Sequence, residues 1–241
     1  MRNAYYILVT GLTLALSGNV AAQEMQVSVD GAIDAYSQYI WRGFNLADKV
    51  SIQPSLTLGF GESGVAFNIW GSAAMQDRGS PNDLDQADEL DFTLSLDRTL
   101  SEEAGVGLSL GYIQYTFPSL ESGTKHSEEV YGGISLDNAA APSLTAYYDF
   151  GLANAWYISF GIGPEFPLDS EGKASLGLGA SVGLSDATRD FGFNDVTLTA
   201  SIGFSQGMWT ISPTFGYSYA DDSVNNDNSE VWGGVSIGFS K

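Results

Sequence analysis

Carboxylates on the polar phase of alternating stretches are the residues in this chain best placed to do chemistry. They are Asp30, Asp34, Asp91, Asp97, Glu129, Asp149, Glu165, Asp195 and Glu230, and Arg42 is the main charge opposing them. Acidic groups lining a low-dielectric tube concentrate cations and repel anions. The pattern therefore points to a cation-preferring passage. Arg42 admits two roles. It could narrow such a passage and meet the solute, or it could be a buried counter-ion paired with Asp30 or Asp34. Trp70, Tyr131, Tyr147 and Tyr157 share the parity of the carboxylates, as does Trp232, and their bulk would narrow the tube.

Other chemistries fit less well. His126 is the sole histidine and stands among Lys125, Ser127 and Glu128. A nucleophile and its base need facing side chains within hydrogen-bond reach, whereas neighbours on an extended chain point apart. No H-E-x-x-H motif occurs, and no G-x-S-x-G nucleophile elbow is expected. A lipid-acting enzyme is thus a weaker alternative, and no residue is assigned a catalytic role. Asp77, Asp83, Asp85 and Asp88, and separately Asp221, Asp222, Asp227 and Glu230, offer hard oxygen ligands. Their spacing matches no EF-hand loop, so they read as solvated acidic loops, with divalent bridging to lipopolysaccharide as a softer role. No cofactor and no metal is implied. The absence of cysteine excludes a disulfide framework. With 9 Lys+Arg against 29 Asp+Glu the formal charge is −20, so a basic face for nucleic acid is not expected.

The elements that must position these residues are strands, because only a period of two keeps alternate side chains on one side. In the stretch Val27 to Gly43, one face carries Val27, Val29, Gly31, Ile33, Ala35, Tyr39 and Trp41. The other carries Gln26, Ser28, Asp30, Asp34, Gln38 and Arg42. About twelve such stretches follow one another to the C-terminus, an even number of the kind single-chain bacterial barrels use. Short turns at Gly61, Ser101, Asp137, Pro167 and Ser205 alternate with longer loops at Gln76, Pro118, Ser185 and Ala220. The expected fold is all-β, a transmembrane antiparallel up-and-down β-barrel of about twelve strands, with ten and fourteen as alternatives. The apolar phase switches from Leu110 and Tyr112 to Ile113 and Tyr115, which predicts a bulge near Tyr112 and Ile113. Pro54 and Pro213 each forfeit a ladder bond and mark two more places where a slip or bulge could fall.

Arg2, the apolar run Ile7 to Leu16 and the small residues Val20-Ala21-Ala22 predict a signal peptide, residues 1–22, cleaved after Ala22. Losing Arg2 leaves 8 Lys+Arg against 29 Asp+Glu, a formal charge of −21 on residues 23–241. No later apolar run is long enough for a spanning helix. The expected location is the outer membrane, with its lipid and lipopolysaccharide as partners.

The segment Tyr39-Ile40-Trp41-Arg42-Gly43, with Pro54-Ser55-Leu56 and Asn68-Ile69-Trp70-Gly71-Ser72, resembles the TorF porin family. Glu89-Leu90-Asp91-Phe92, Gly111-Tyr112-Ile113-Gln114-Tyr115 and Glu129-Val130-Tyr131-Gly132-Gly133 are similar to later parts of its pattern. The resemblance covers roughly the first half of residues 23–241 and implies an outer-membrane barrel acting as a pore. It supplies no substrate. The Ser240-Lys241 ending after Phe239 departs from the usual outer-membrane pattern. Together these readings give passive diffusion of small polar or cationic solutes through an acidic lumen. A plugged structural barrel is the alternative, because about twelve strands lie between the filled eight-stranded tube and open barrels of 16–18. Short loops argue against an adhesin.

Overall fold

The computed structural model describes residues 26–75, 88–120, 125–225 and 227–241. The expected signal peptide and the loop acids Asp77, Asp83 and Asp85 lie outside the described residues. The strands are β1 (Val27–Tyr36), β2 (Tyr39–Trp41), β3 (Phe44–Ala47), β4 (Ser51–Phe60) and β5 (Val65–Ala74). Then come β6 (Glu89–Ser101), β7 (Val106–Thr116), β8 (His126–Leu136), β9 (Ser143–Asp149) and β10 (Ala155–Ile162). The last are β11 (Glu165–Pro167), β12 (Ala174–Ser185), β13 (Gly192–Gln206), β14 (Trp209–Ala220) and β15 (Ser229–Ser240).

All of them except β2 and β3 form one antiparallel sheet in chain order, and β1 pairs with β15 to close it. Strands β10 and β11 are one wall strand interrupted at Gly163-Pro164. Both pair with β12 in a single register, from Tyr157 opposite Ser185 to Glu165 opposite Gly177. Across the gap the Leu178 amide still donates to the Pro164 carbonyl at 3.0 Å. The result is a closed, twelve-stranded barrel, as the alternation predicts. Closure removes the unpaired edges that a sheet could not keep in lipid.

The two faces of the wall have opposite chemistry. Ile33, Leu94, Ile134, Phe160, Leu198 and Phe215 point outward and are exposed, while Ser51, Gln53, Ser127 and Asn194 point inward and are buried. A soluble sandwich would reverse this; a barrel with lipid outside and a polar lumen requires it.

Three local expectations are corrected. First, β1 ends at Tyr36, where it pairs with Ser51. Residues 38–49 leave the wall and form the β2–β3 hairpin, so Tyr39 and Trp41 are not on the oily face. Second, there is no bulge at Tyr112 and Ile113. Tyr112 opposes Val130 and Ile113 opposes Glu129 in one continuous register, so Ile113 and Tyr115 face inward. In the wall the register shifts fall between Thr99 and Ser101 and between Gly183 and Leu184. Third, neither proline shifts the register. Pairing lapses on one side of each, between Ile52 and Ser55 against β5 and between Ser201 and Phe204 against β14, then resumes in phase. A missing N–H removes a ladder bond without displacing the strand.

Candidate functional site

The hairpin folds across the lumen. Its tip is the dipeptide Arg42-Gly43, with φ of 49° and 82°. Two positive φ values are what a two-residue hairpin turn of the primed type needs, and Gly43 takes its value at no steric cost. Trp41 and Phe44 close the turn as a stacked pair, ring centroids 6.3 Å apart. The tip packs on the far wall so closely that a Cβ on Gly43 would sit 2.8 Å from the Ala220 Cβ and 2.9 Å from the Asp195 Cβ. Gly43→Ala is therefore expected to lower stability by about 2 kcal/mol or more, combining αL strain with overpacking. The urea midpoint of the folded barrel in detergent measures this; an unchanged midpoint would contradict the close approach.

Arg42 ends in a cage. Its guanidinium donates two parallel hydrogen bonds to Glu129, at 2.7 and 2.8 Å. Its Cζ lies 4.5 Å from the Trp41 ring, 4.4 Å from that of Tyr147 and 4.5 Å from that of Tyr157. Glu129, with 1% of its surface exposed, accepts a further bond from the Tyr115 hydroxyl at 2.8 Å. Forked, charge-assisted pairing together with ring faces makes a strong, orientation-specific grip.

Register builds the wall side of the cage. Tyr131, Tyr147 and Tyr157 are directly opposed on β8, β9 and β10. Their rings form a row with centroids 5.4 and 6.1 Å apart. The ends of the row lie over Gly111 and Gly183, where a Cβ would collide with the Tyr131 and Tyr157 rings. Tyr157 donates to Asp195 at 3.0 Å, as does Asn194 at 2.9 Å. Asn194 is the extra residue of the register shift opposite Gly183 and Leu184. A bulge turns it inward beside Asp195, and it donates to the Arg42 carbonyl at 2.8 Å.

The base of the hairpin is tied as firmly. Glu230 accepts from Gln38 and from Asn45, each at 3.0 Å. Tyr39 donates to Glu89 at 2.9 Å and packs against Trp70, centroids 5.6 Å apart. Glu129 and Asp195 are each the fourth residue of their strand from the loop-bearing end. The cage thus sits roughly 10 Å into the wall at about 3.3 Å per residue.

The sequence-derived residues divide accordingly. Arg42, Glu129, Tyr147, Tyr157 and Asp195 meet in the cage, and Tyr131 backs Tyr147. The partner of Arg42 is Glu129, not Asp30 or Asp34, because the hairpin carries Arg42 away from β1 and across the lumen. Trp70 and Glu230 brace the hairpin. Asp149 instead ties down the turn after β9, accepting from Ser127 at 2.7 Å and from the Gly151 and Ala153 amides at 3.0 Å. Asp91 is buried within electrostatic reach of the Tyr39 and Tyr115 hydroxyls. Asp30 opposes Thr57 and Ser240, and Asp34 opposes Gln53 and Ser236, on the inner face of β1. Asp97 lies lower, near Tyr131. Glu165 opposes Gly177 and is exposed at the short-turn end. Tyr39, Trp41, Glu89, Tyr115 and Asn194 escape the sequence reading. Tyr115 was detectable as an aromatic out of phase with its strand, and Glu89 as an acid two residues before Asp91.

Two cavities of about 220 and 240 Å³ flank the hairpin tip and share Trp41, Phe44, Asp149 and Ala153. Beyond the tyrosine row, toward the short-turn end, the wall carries a hollow of about 300 Å³. It is lined by small residues, among them Ser159, Gly179, Ser181, Thr197 and Thr199. The string G-x-S-x-G, not expected above, does occur at 107–111, 179–183, 203–207 and 234–238. Each serine lies in a strand, β7, β12, β13 or β15, and so lacks the strand-to-helix turn that exposes a nucleophile. Among the described residues no group of three or more His, Cys, Asp or Glu is placed to hold a metal ion.

Solved structures share the fold. A KdgM porin superposes with a TM-score of 0.56 at 11% identity, covering 89% of this chain and 99% of its own. A KdgM porin in complex with disordered oligogalacturonate gives 0.57 at 10% identity, covering 89% and 99%. No curated protein matches the sequence. Residues 20–240 match the model of a bacterial protein family of unknown function, Gcw_chp, and the chain belongs to that family.

Proposed function

We propose that the protein is an outer-membrane channel through which small polar or cationic solutes diffuse passively beside an inward-folded hairpin. The carrying observation is the inverted wall: an apolar exposed outer face around a polar inner face on which Asp30, Asp34, Asp91 and Asp97 oppose few bases. The porin-like barrel fold and the TorF-like first half support the same reading. On this reading residues 1–22 are the cleaved export signal, and the outer face meets membrane lipid and lipopolysaccharide. Glu129 is neutralised by Arg42, so selectivity falls to the acids below the cage. A second reading, a plugged structural barrel, draws on the hairpin itself, which crosses the lumen.

Planar-bilayer conductance of refolded protein under a salt gradient separates the two. Cation-selective steps are expected, and Asp30→Asn with Asp97→Asn should move the reversal potential toward zero without altering heat resistance, since carboxylates set the local cation concentration. Silence from demonstrably folded protein would support the plugged barrel. Steps whose selectivity ignores both substitutions would remove the acidic lumen from the mechanism.

A further inference from the structure

The cage has the form of a ligand site whose occupant is part of the chain. Apart from Trp41, every group that grips the guanidinium belongs to the barrel wall: Glu129 from β8, Tyr147 from β9 and Tyr157 from β10. Tyr115 from β7 holds one oxygen of Glu129 in place. These side chains are set by strand register, not by the hairpin. The chemistry they select is narrow. Two parallel N–H donors fit the Glu129 carboxylate, which a planar guanidinium supplies and a compact ammonium does not. Tyrosine faces 4.4 and 4.5 Å away favour a flat, weakly hydrated cation.

We infer that the barrel wall carries a guanidinium-binding site, that Arg42 fills it as a tethered ligand, and that free alkylguanidinium solutes compete for it. This deepens the channel reading and rests on it for its transport consequence: a solute that displaces Arg42 loosens the hairpin tip and passes the level the hairpin occupies. Even a flexibly tethered ligand acts at an effective concentration in the millimolar range, so a free solute must reach millimolar levels or above to compete.

The test needs no conductance. Arg42→Ala removes the occupant and leaves a gap the size of an ethylguanidinium ion. Refolding yield and heat resistance of this variant are measured with ethylguanidinium, with ethylammonium and with the neutral isostere ethylurea, each at about 10 mM, above the effective concentration of a tether. Ethylguanidinium alone should restore at least half of the lost yield or heat resistance, and Glu129→Gln in the same background should abolish that rescue. Equal effects of all three additives, or none from ethylguanidinium, would overturn the site. A variant that fails to refold without additive still reports, because yield with ethylguanidinium is itself the readout. In the parent channel, methylguanidinium should permeate several-fold better than methylammonium. Rescue with a silent bilayer would leave the site standing and the channel reading fallen; conduction without rescue would do the reverse.

Discussion

Arg42→Ala barrels lose about 3–5 kcal/mol of stability, the usual cost of removing one partner from a buried ion pair. The loss comes mainly from what remains. Glu129, 1% exposed, keeps its bond from Tyr115 but has no charge to answer its own. Three ring contacts to the guanidinium vanish as well. Arg42→Lys should fall between, since it keeps the charge but not the fork. Glu129→Gln added to Arg42→Ala should recover part of the loss, because an amide is cheaper to bury than a lone carboxylate. Urea titration of the folded band in detergent gives all three losses relative to the parent. A loss below about 1 kcal/mol would place Arg42 among ordinary solvated ion pairs instead.

Excising residues 38–49 and joining Ser37 to Val50 through Asn-Gly should raise single-channel conductance at least about threefold. A twelve-stranded tube lies between one filled by its own side chains and an open pore, so what occupies its lumen decides what passes. The hairpin contributes Tyr39, Trp41, Arg42 and Phe44 to the level that also holds Tyr115, Tyr147 and Tyr157. Removing it frees the two cavities of about 220 and 240 Å³ into one lumen. Glu129 and Glu230 then meet water, so cation preference should rise along with conductance. Planar-bilayer recording is the check. Unchanged conductance in a folded deletion would mean that solutes never pass the hairpin's level.

The wall was legible because an apolar outer face and a polar inner face impose a period of two on every strand. Ile33, Leu94 and Phe215 announce their face by parity alone. The hairpin was not legible for the same reason. Tyr39 and Trp41 continue the alternation of β1, although they pair with β3 and stand half-buried inside the barrel. Length was the available signal: Val27 to Gly43 exceeds the roughly 9–11 residues a strand needs to span. Arg42-Gly43 between two aromatics was the second, a turn written inside an apparent strand. Tyr115 misled because the hairpin covers it: the Trp41 ring lies 6.0 Å away and Tyr115 is buried, so an aromatic there faces inward without penalty. The pairing of Arg42 with Glu129 joins residues 87 apart, and no local pattern encodes such a distance.

The seam between β1 and β15, sealed by paired bonds between Val29 and Lys241, sets an order of assembly. The hairpin emerges near the N-terminus, yet its partners come 50, 87, 152, 185 and 192 residues later. Contacts so remote in sequence form late, after much loop-closure entropy has been spent. Until β15 arrives, Gln38 and Asn45 have no Glu230 to hold. A partly built wall therefore carries its hairpin undocked, and seating it becomes a late event that marks the barrel as finished.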